Sequence, residues 1–203
     1  SNPMLKSSLR DARIIVVFYG GNEENMPTPI DNIDWLFDRA VAMVEASGES
    51  LYWLRSEPLH RLPEFETCFP HPTVLNEIKL RYGPSPSEAI HDVLIESDRR
   101  KEQANYIIEV EDNPSVQNFA GMMAALQASL DAPRVEVIDR EETSFSDSDE
   151  EEVECASALV VVRYDVDLVT VGSLYTDLIW RFNDLEEFEC MVLTDERFTP
   201  PIY

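Results

Sequence analysis

The sequence predicts a single α/β domain: a mixed sheet of six to seven strands, about five packed helices and one long acidic loop. Three observations predict it. Apolar runs of strand length recur between segments whose apolar residues are spaced three and four apart. A chain of 203 residues with 44% apolar types can bury one substantial core. No internal repeat divides it, so residues 1–10 read as a flexible start and 11–203 as one domain.

The elements follow in order. Arg13 to Tyr19 is nearly all apolar and rich in β-branched residues, a buried strand ended by a turn at Gly20-Gly21. Ile33, Leu36, Phe37, Ala40, Val41 and Val44 share one helical face, capped by Asp31 and closed by Gly48. Leu51 to Leu54 returns to strand, which makes a strand–helix–strand unit. Four prolines between 56 and 72 exclude a helix interior there, while Leu59, Leu62, Phe65 and Phe69 give the segment something to pack.

Thr73 to Tyr82 reads as a short helix ending at Gly83. The next helix carries a strong start signal, Ser85 as cap, Pro86 at the first helical position and Glu88 beyond it. It is expected to reach about Gln103, with Ala89, Ile90, Val93, Leu94 and Ser97 inward. Tyr106 to Val110 is a third strand, and Asn113-Pro114 opens another helix with Phe119, Met123, Leu126 and Leu130 inward. Arg134–Asp139 and Ala156–Tyr164 are expected strands. A short strand over Leu168–Val171, a helix over Ser173–Phe182 and a last strand over Phe188–Leu193 complete the reading.

Charge narrows the function classes. Forty acidic against 16 basic residues give a net charge of −24. Nucleic acid and anionic lipid are repelled over a screening length of about 8 Å at physiological salt. The densest basic run, Arg99-Arg100-Lys101, is flanked by Asp98 and Glu102 and reads as a solvated helix end. Direct nucleic-acid binding and membrane association are therefore not expected, whereas a basic protein would be attracted. Three cysteines are too few for a disulfide scaffold, and no run has transmembrane length. An intracellular chain, cytoplasmic or nuclear, is the expectation.

The most unusual stretch is residues 136–154, with ten acidic residues against Arg140 alone. Its centre, about 141–154, has almost nothing to bury and reads as a solvated insertion or as a docking segment. In the docking reading Glu141, Glu142, Asp147, Asp149, Glu150, Glu151 and Glu152 attract a basic partner, and Phe145 is an aromatic anchor. Ser144, Ser146 and Ser148 each have an acid three residues on, the spacing that acidophilic kinases of eukaryotic cells read. Phosphorylation there would add about −1.5 to −2 charges per site. That spacing points to a eukaryotic or viral source.

No catalytic set emerges. Cys68 and His71 have the spacing of half a zinc site, but no second pair follows. Cys155 and Cys190 read as buried thiols, and His91 as a residue of an outer helix edge. Gly20-Gly21 lacks both phosphate-loop and dinucleotide signatures. Asp165, Asp167 and Asp177 would suit magnesium if they converged. Glu109 and Glu111 alternate around Val110, and Glu187 and Glu189 around Phe188, which suggests solvent-facing sides of an open sheet able to receive an added strand. Trp53, Tyr82 and Tyr203 are candidate exposed aromatics.

The expected function is a noncatalytic protein–protein interaction module, an adaptor or complex subunit, with neither metal nor cofactor. The alternatives are a chaperone for histones or other basic proteins, a nucleic-acid mimic, and a magnesium-dependent hydrolase using Asp165, Asp167 and Asp177.

Overall fold

The structure, a computed structural model, describes residues 13–20, 33–61, 63–64, 69–100, 103–111, 113–131, 155–176, 178–182 and 188–190. The strands are β1 (Ile14–Tyr19), β2 (Leu51–Arg55), β3 (Ile78–Tyr82), β4 (Asn105–Val110), β5 (Ala158–Arg163), β6 (Ile179–Phe182) and β7 (Phe188–Cys190). The helices are α1 (Ile33–Ser47), α2 (Pro72–Glu77), α3 (Pro86–Arg100), α4 (Val116–Leu130) and α5 (Val166–Gly172). The seven strands form one sheet in the order β3-β2-β4-β5-β1-β6-β7. All neighbours are parallel except β6 and β7, so the expected mixed α/β sheet is present.

Two cores sandwich the sheet. One face packs Val16, Phe18, Tyr52, Tyr106 and Ile108 under Ile90, Phe119, Met123 and Val169 of α3, α4 and α5. The other packs Val17, Trp53, Ile107 and Val161 under Leu36, Ala40 and Val44 of α1, with Val74 of α2 at its margin. Period-two alternation sends successive strand residues to opposite cores. Because both faces are covered, the central strands read as unbroken apolar runs rather than as alternating ones. Chain segments that move toward β3 carry their helices on one face, and those that return carry them on the other. Right-handed crossovers produce this arrangement.

α3 starts where Ser85-Pro86 places it, while Asp31, the expected cap of α1, lies outside the described residues. Glu88 and Ala89 donate backbone N–H groups to the Ser85 carbonyl at 3.1 and 2.9 Å, and α3 runs from Pro86 to Arg100. Gly20 and Gly48 adopt φ of 72° and 70°, the left-handed conformation that ends β1 and α1. At α4 the signal is displaced. Ser115 is the cap, its hydroxyl accepting from Asn118 N–H, while Asn113 takes a positive φ of 43°.

Three expectations are corrected. Thr73–Tyr82 is not one helix: α2 ends at Glu77, and Ile78–Tyr82 pairs in parallel with Leu51–Arg55. The alternation Ile78, Leu80, Tyr82 against Lys79, Arg81 is a strand pattern, and pairing with β2 overrides the local helix signal. Leu168–Val171 is helical, because the Asp165 carboxylate accepts from Asp167 and Leu168 N–H and nucleates α5. Ser173–Phe182 is a turn followed by β6. There Thr176 Oγ1 donates to Ile14 carbonyl at 2.6 Å and accepts from Leu178 N–H at 3.0 Å, a local alternative to helix. β7 falls within the expected last strand, whereas Arg134–Asp139 lies outside the described residues.

Candidate functional site

Asp131 and Cys155, the described residues that flank the acidic insertion, lie at the amino-terminal edge of the parallel sheet. Residues 132–154 lie outside the described residues, and with them Glu141, Glu142, Ser144, Phe145, Ser146, Asp147, Ser148, Asp149, Glu150, Glu151 and Glu152. Arg13, at the foot of β1, donates from Nη1 to Asp131 Oδ1 at 2.5 Å and to Leu130 carbonyl at 3.3 Å. Its own carbonyl accepts from Ala158 N–H at 2.6 Å. One residue therefore ties the end of α4 to the start of β5.

The same edge holds a satisfied polar core. Asn105, fully buried, donates from Nδ2 to Ser47 Oγ at 2.7 Å and to Glu49 carbonyl at 3.2 Å, while its Oδ1 accepts from Ser157 N–H at 3.0 Å. These bonds fix α1, β4 and β5 relative to one another.

The carboxyl-terminal edge is different. There β2 and β4 are neighbours whose following helices lie on opposite faces, the kind of switch point at which open α/β sheets bind ligands. Glu109 and Arg55 are both buried, with side chains 0% and 2% exposed. The Trp53 indole N–H donates to Glu109 Oε1 at 2.6 Å, and Arg55 Nε stands 3.5 Å from the same oxygen. Phe37 meets Trp53 edge-on at 5.5 Å, so α1 seals the group from above. Beside it Ser56 Oγ donates to Glu111 Oε2.

This cluster leaves hydrogen-bonding capacity unused. Arg55 Nε and Nη1, Glu109 Oε2 and Glu111 Oε1 are buried without a hydrogen-bond partner. Burial raises the Glu109 carboxyl to about 7 against the attraction of Arg55 and the Trp53 hydrogen bond, and Glu111 adds to the rise. Glu109 can therefore take up or release a proton near neutrality.

Sequence reasoning missed this cluster. Glu109 is not solvent-facing and Trp53 is not exposed, because the face they share lies under α1. The available signal was a charged residue, Arg55 or Glu109, at the end of an otherwise apolar strand. Tyr82 is exposed as expected, at 48%, and Tyr203 lies outside the described residues. Glu187 lies outside them too, and the side chain of Glu189 is likewise not described. Cys155 is exposed rather than buried, because it precedes β5 instead of lying within it.

Asp165 caps α5, Asp167 lies exposed in its first turn, and Asp177 is outside the described residues. Among the described residues no group of three or more His, Cys, Asp or Glu is placed to hold a metal ion, and no helix is long and apolar enough to cross a membrane. His71 caps α2, its Nδ1 accepting from Thr73 N–H, while Cys68 lies outside the described residues. Comparison with protein-family models, curated proteins and solved structures finds no match to this chain.

Proposed function

We propose that this chain is a noncatalytic protein–protein interaction module that docks a basic partner through residues 141–154. The observation that carries the reading is the double attachment at Arg13, which holds Asp131 and Ala158 at the two ends of the acidic stretch. A docking segment with both ends fixed loses less conformational freedom on binding than a free tail does. Its eight acidic side chains from Glu141 to Glu154 supply a local field that favours Lys- and Arg-rich surfaces. Phosphorylation at Ser144, Ser146 or Ser148 would strengthen that field.

The test uses the full chain and a chain lacking residues 141–154, titrated with a labelled Lys/Arg-rich peptide at low and high salt. The intact chain should bind, and deletion or high salt should each weaken binding by about tenfold or more. Equal binding by both chains would place the interface on the folded domain and remove the docking role. Capture from eukaryotic cell extract with the same pair of chains then identifies the partner.

A further inference from the structure

A lateral edge of the sheet offers a second surface of different chemistry. We propose that the outer edge of β3 accepts an added strand from an extended peptide in which carboxylates alternate with apolar side chains. β3 ends the sheet and pairs with β2 alone among the described residues. Its edge is four strand spacings from β1, about 19 Å, so it is separate from the Arg13 attachment.

Register identifies the free backbone groups. Arg55 lies opposite Tyr82, and Gly83 N–H donates to Arg55 carbonyl at 3.1 Å. In a parallel ladder a residue bonds to the two residues flanking its partner. Lys79, Arg81 and Gly83 therefore turn their backbone groups toward β2. Leu80 and Tyr82 turn their N–H and C=O groups outward, where an incoming strand would meet them.

Side-chain alternation then sets the partner's pattern. On one face Lys79 Nζ and Arg81 Cζ stand 5.3 and 5.8 Å from the Tyr52 ring centroid. Arg81 is 3.6 Å from Glu96, and Arg100 pairs with the same carboxylate, so two half-exposed guanidinium groups share one acid. Glu77 is already engaged by Ser50 Oγ, to which Lys79 Nζ donates at 3.0 Å. On the other face Ile78 and Leu80 lie half-buried at the margin of the Trp53 core, and Tyr82 is exposed.

An added strand would thus place every second side chain beside Lys79 and Arg81, and the rest beside Leu80 and Tyr82. Carboxylates suit the first set and aliphatic groups the second. Edge lysines ordinarily guard against self-association. Pairing with a second copy would set Lys79 and Arg81 against like charges, which selects a foreign acidic strand instead.

The test is a titration with a labelled peptide of alternating Glu and Val. Controls are a scrambled peptide of the same composition and an alternating Lys and Val peptide. The alternating acidic peptide should bind, about tenfold or more tightly than either control. Hydrogen exchange at the Leu80 and Tyr82 amides should slow on binding, while Gly83, already bonded to β2, changes little. Tyr82→Pro removes an outward donor without touching the β2 ladder and should weaken binding about tenfold, as should Lys79→Glu with Arg81→Glu. Equal binding of the scrambled peptide, or unchanged exchange at Leu80 and Tyr82, would overturn strand addition. Absence of binding would overturn it as well. The exchange result requires no variant, so a misfolded variant leaves the test intact.

Discussion

Asn105 and Glu109 lie on one strand, both fully buried, yet they meet different fates. Asn105 finds partners for its amide nitrogen and oxygen, whereas Glu109 keeps one oxygen unpaired. A buried amide with its partners costs little, but a buried carboxylate facing an incompletely paired arginine favours its neutral form. This predicts a pH dependence. The folded-state value of about 7 lies above the ordinary 4.5, so the native state holds its proton more tightly than the unfolded chain does. The associated stability is complete below about pH 4.5 and is lost as pH rises through about 7. By pH 8 the loss amounts to about 3 kcal/mol. Denaturant unfolding of the native chain and of Glu109→Gln across pH 4.5–8 isolates it, since the other carboxylates titrate in both. The stability difference between the two should move against the native chain by that amount. A constant difference would show that Glu109 stays ionised, held by Arg55 and Trp53.

At the scale of elements the long helices and the buried strands were legible, and the short segments were not. Pro86 and Gly48 were readable because each acts locally, Pro86 through a fixed φ at a first-turn position that needs no N–H donor and Gly48 as a left-handed residue, with no tertiary partner. Leu168–Val171 was misread as a strand because Val and Thr favour strands locally, and the seven residues of α5 are too few for helical spacing to declare itself. The side chain of Asp165 decides the outcome. Asp165→Ala should destabilise the fold by about 1 kcal/mol, read as a lower urea midpoint at unchanged slope. Asp167→Ala, which removes only a first-turn charge, should cost a few tenths of that. Equal effects would mean that charge at the helix start, rather than the cap, sustains α5. The Glu109 cluster was illegible for another reason. Alternation told which residues share a face, but not that α1 covers that face, a fact set by the order of strands in the sheet.

The whole molecule carries a net charge of −24 around a core built mostly from parallel strands. Several ion pairs outside the core, Arg13–Asp131, Arg61–Asp34 and Arg100–Glu96, are half-exposed and each contributes little in water. Long-range self-repulsion should therefore outweigh them, and salt should stabilise the fold by screening it. Removing residues 141–154 takes away eight carboxylates and moves the net charge from −24 to −16. The thermal midpoint of the full chain should rise with sodium chloride at pH 7, and the shortened chain should respond less. Matching responses would mean that the insertion's charge is already screened by solvent and does not load the domain. A midpoint that falls with salt would instead make the ion pairs, Arg13–Asp131 at the base of the insertion among them, the dominant electrostatic contribution.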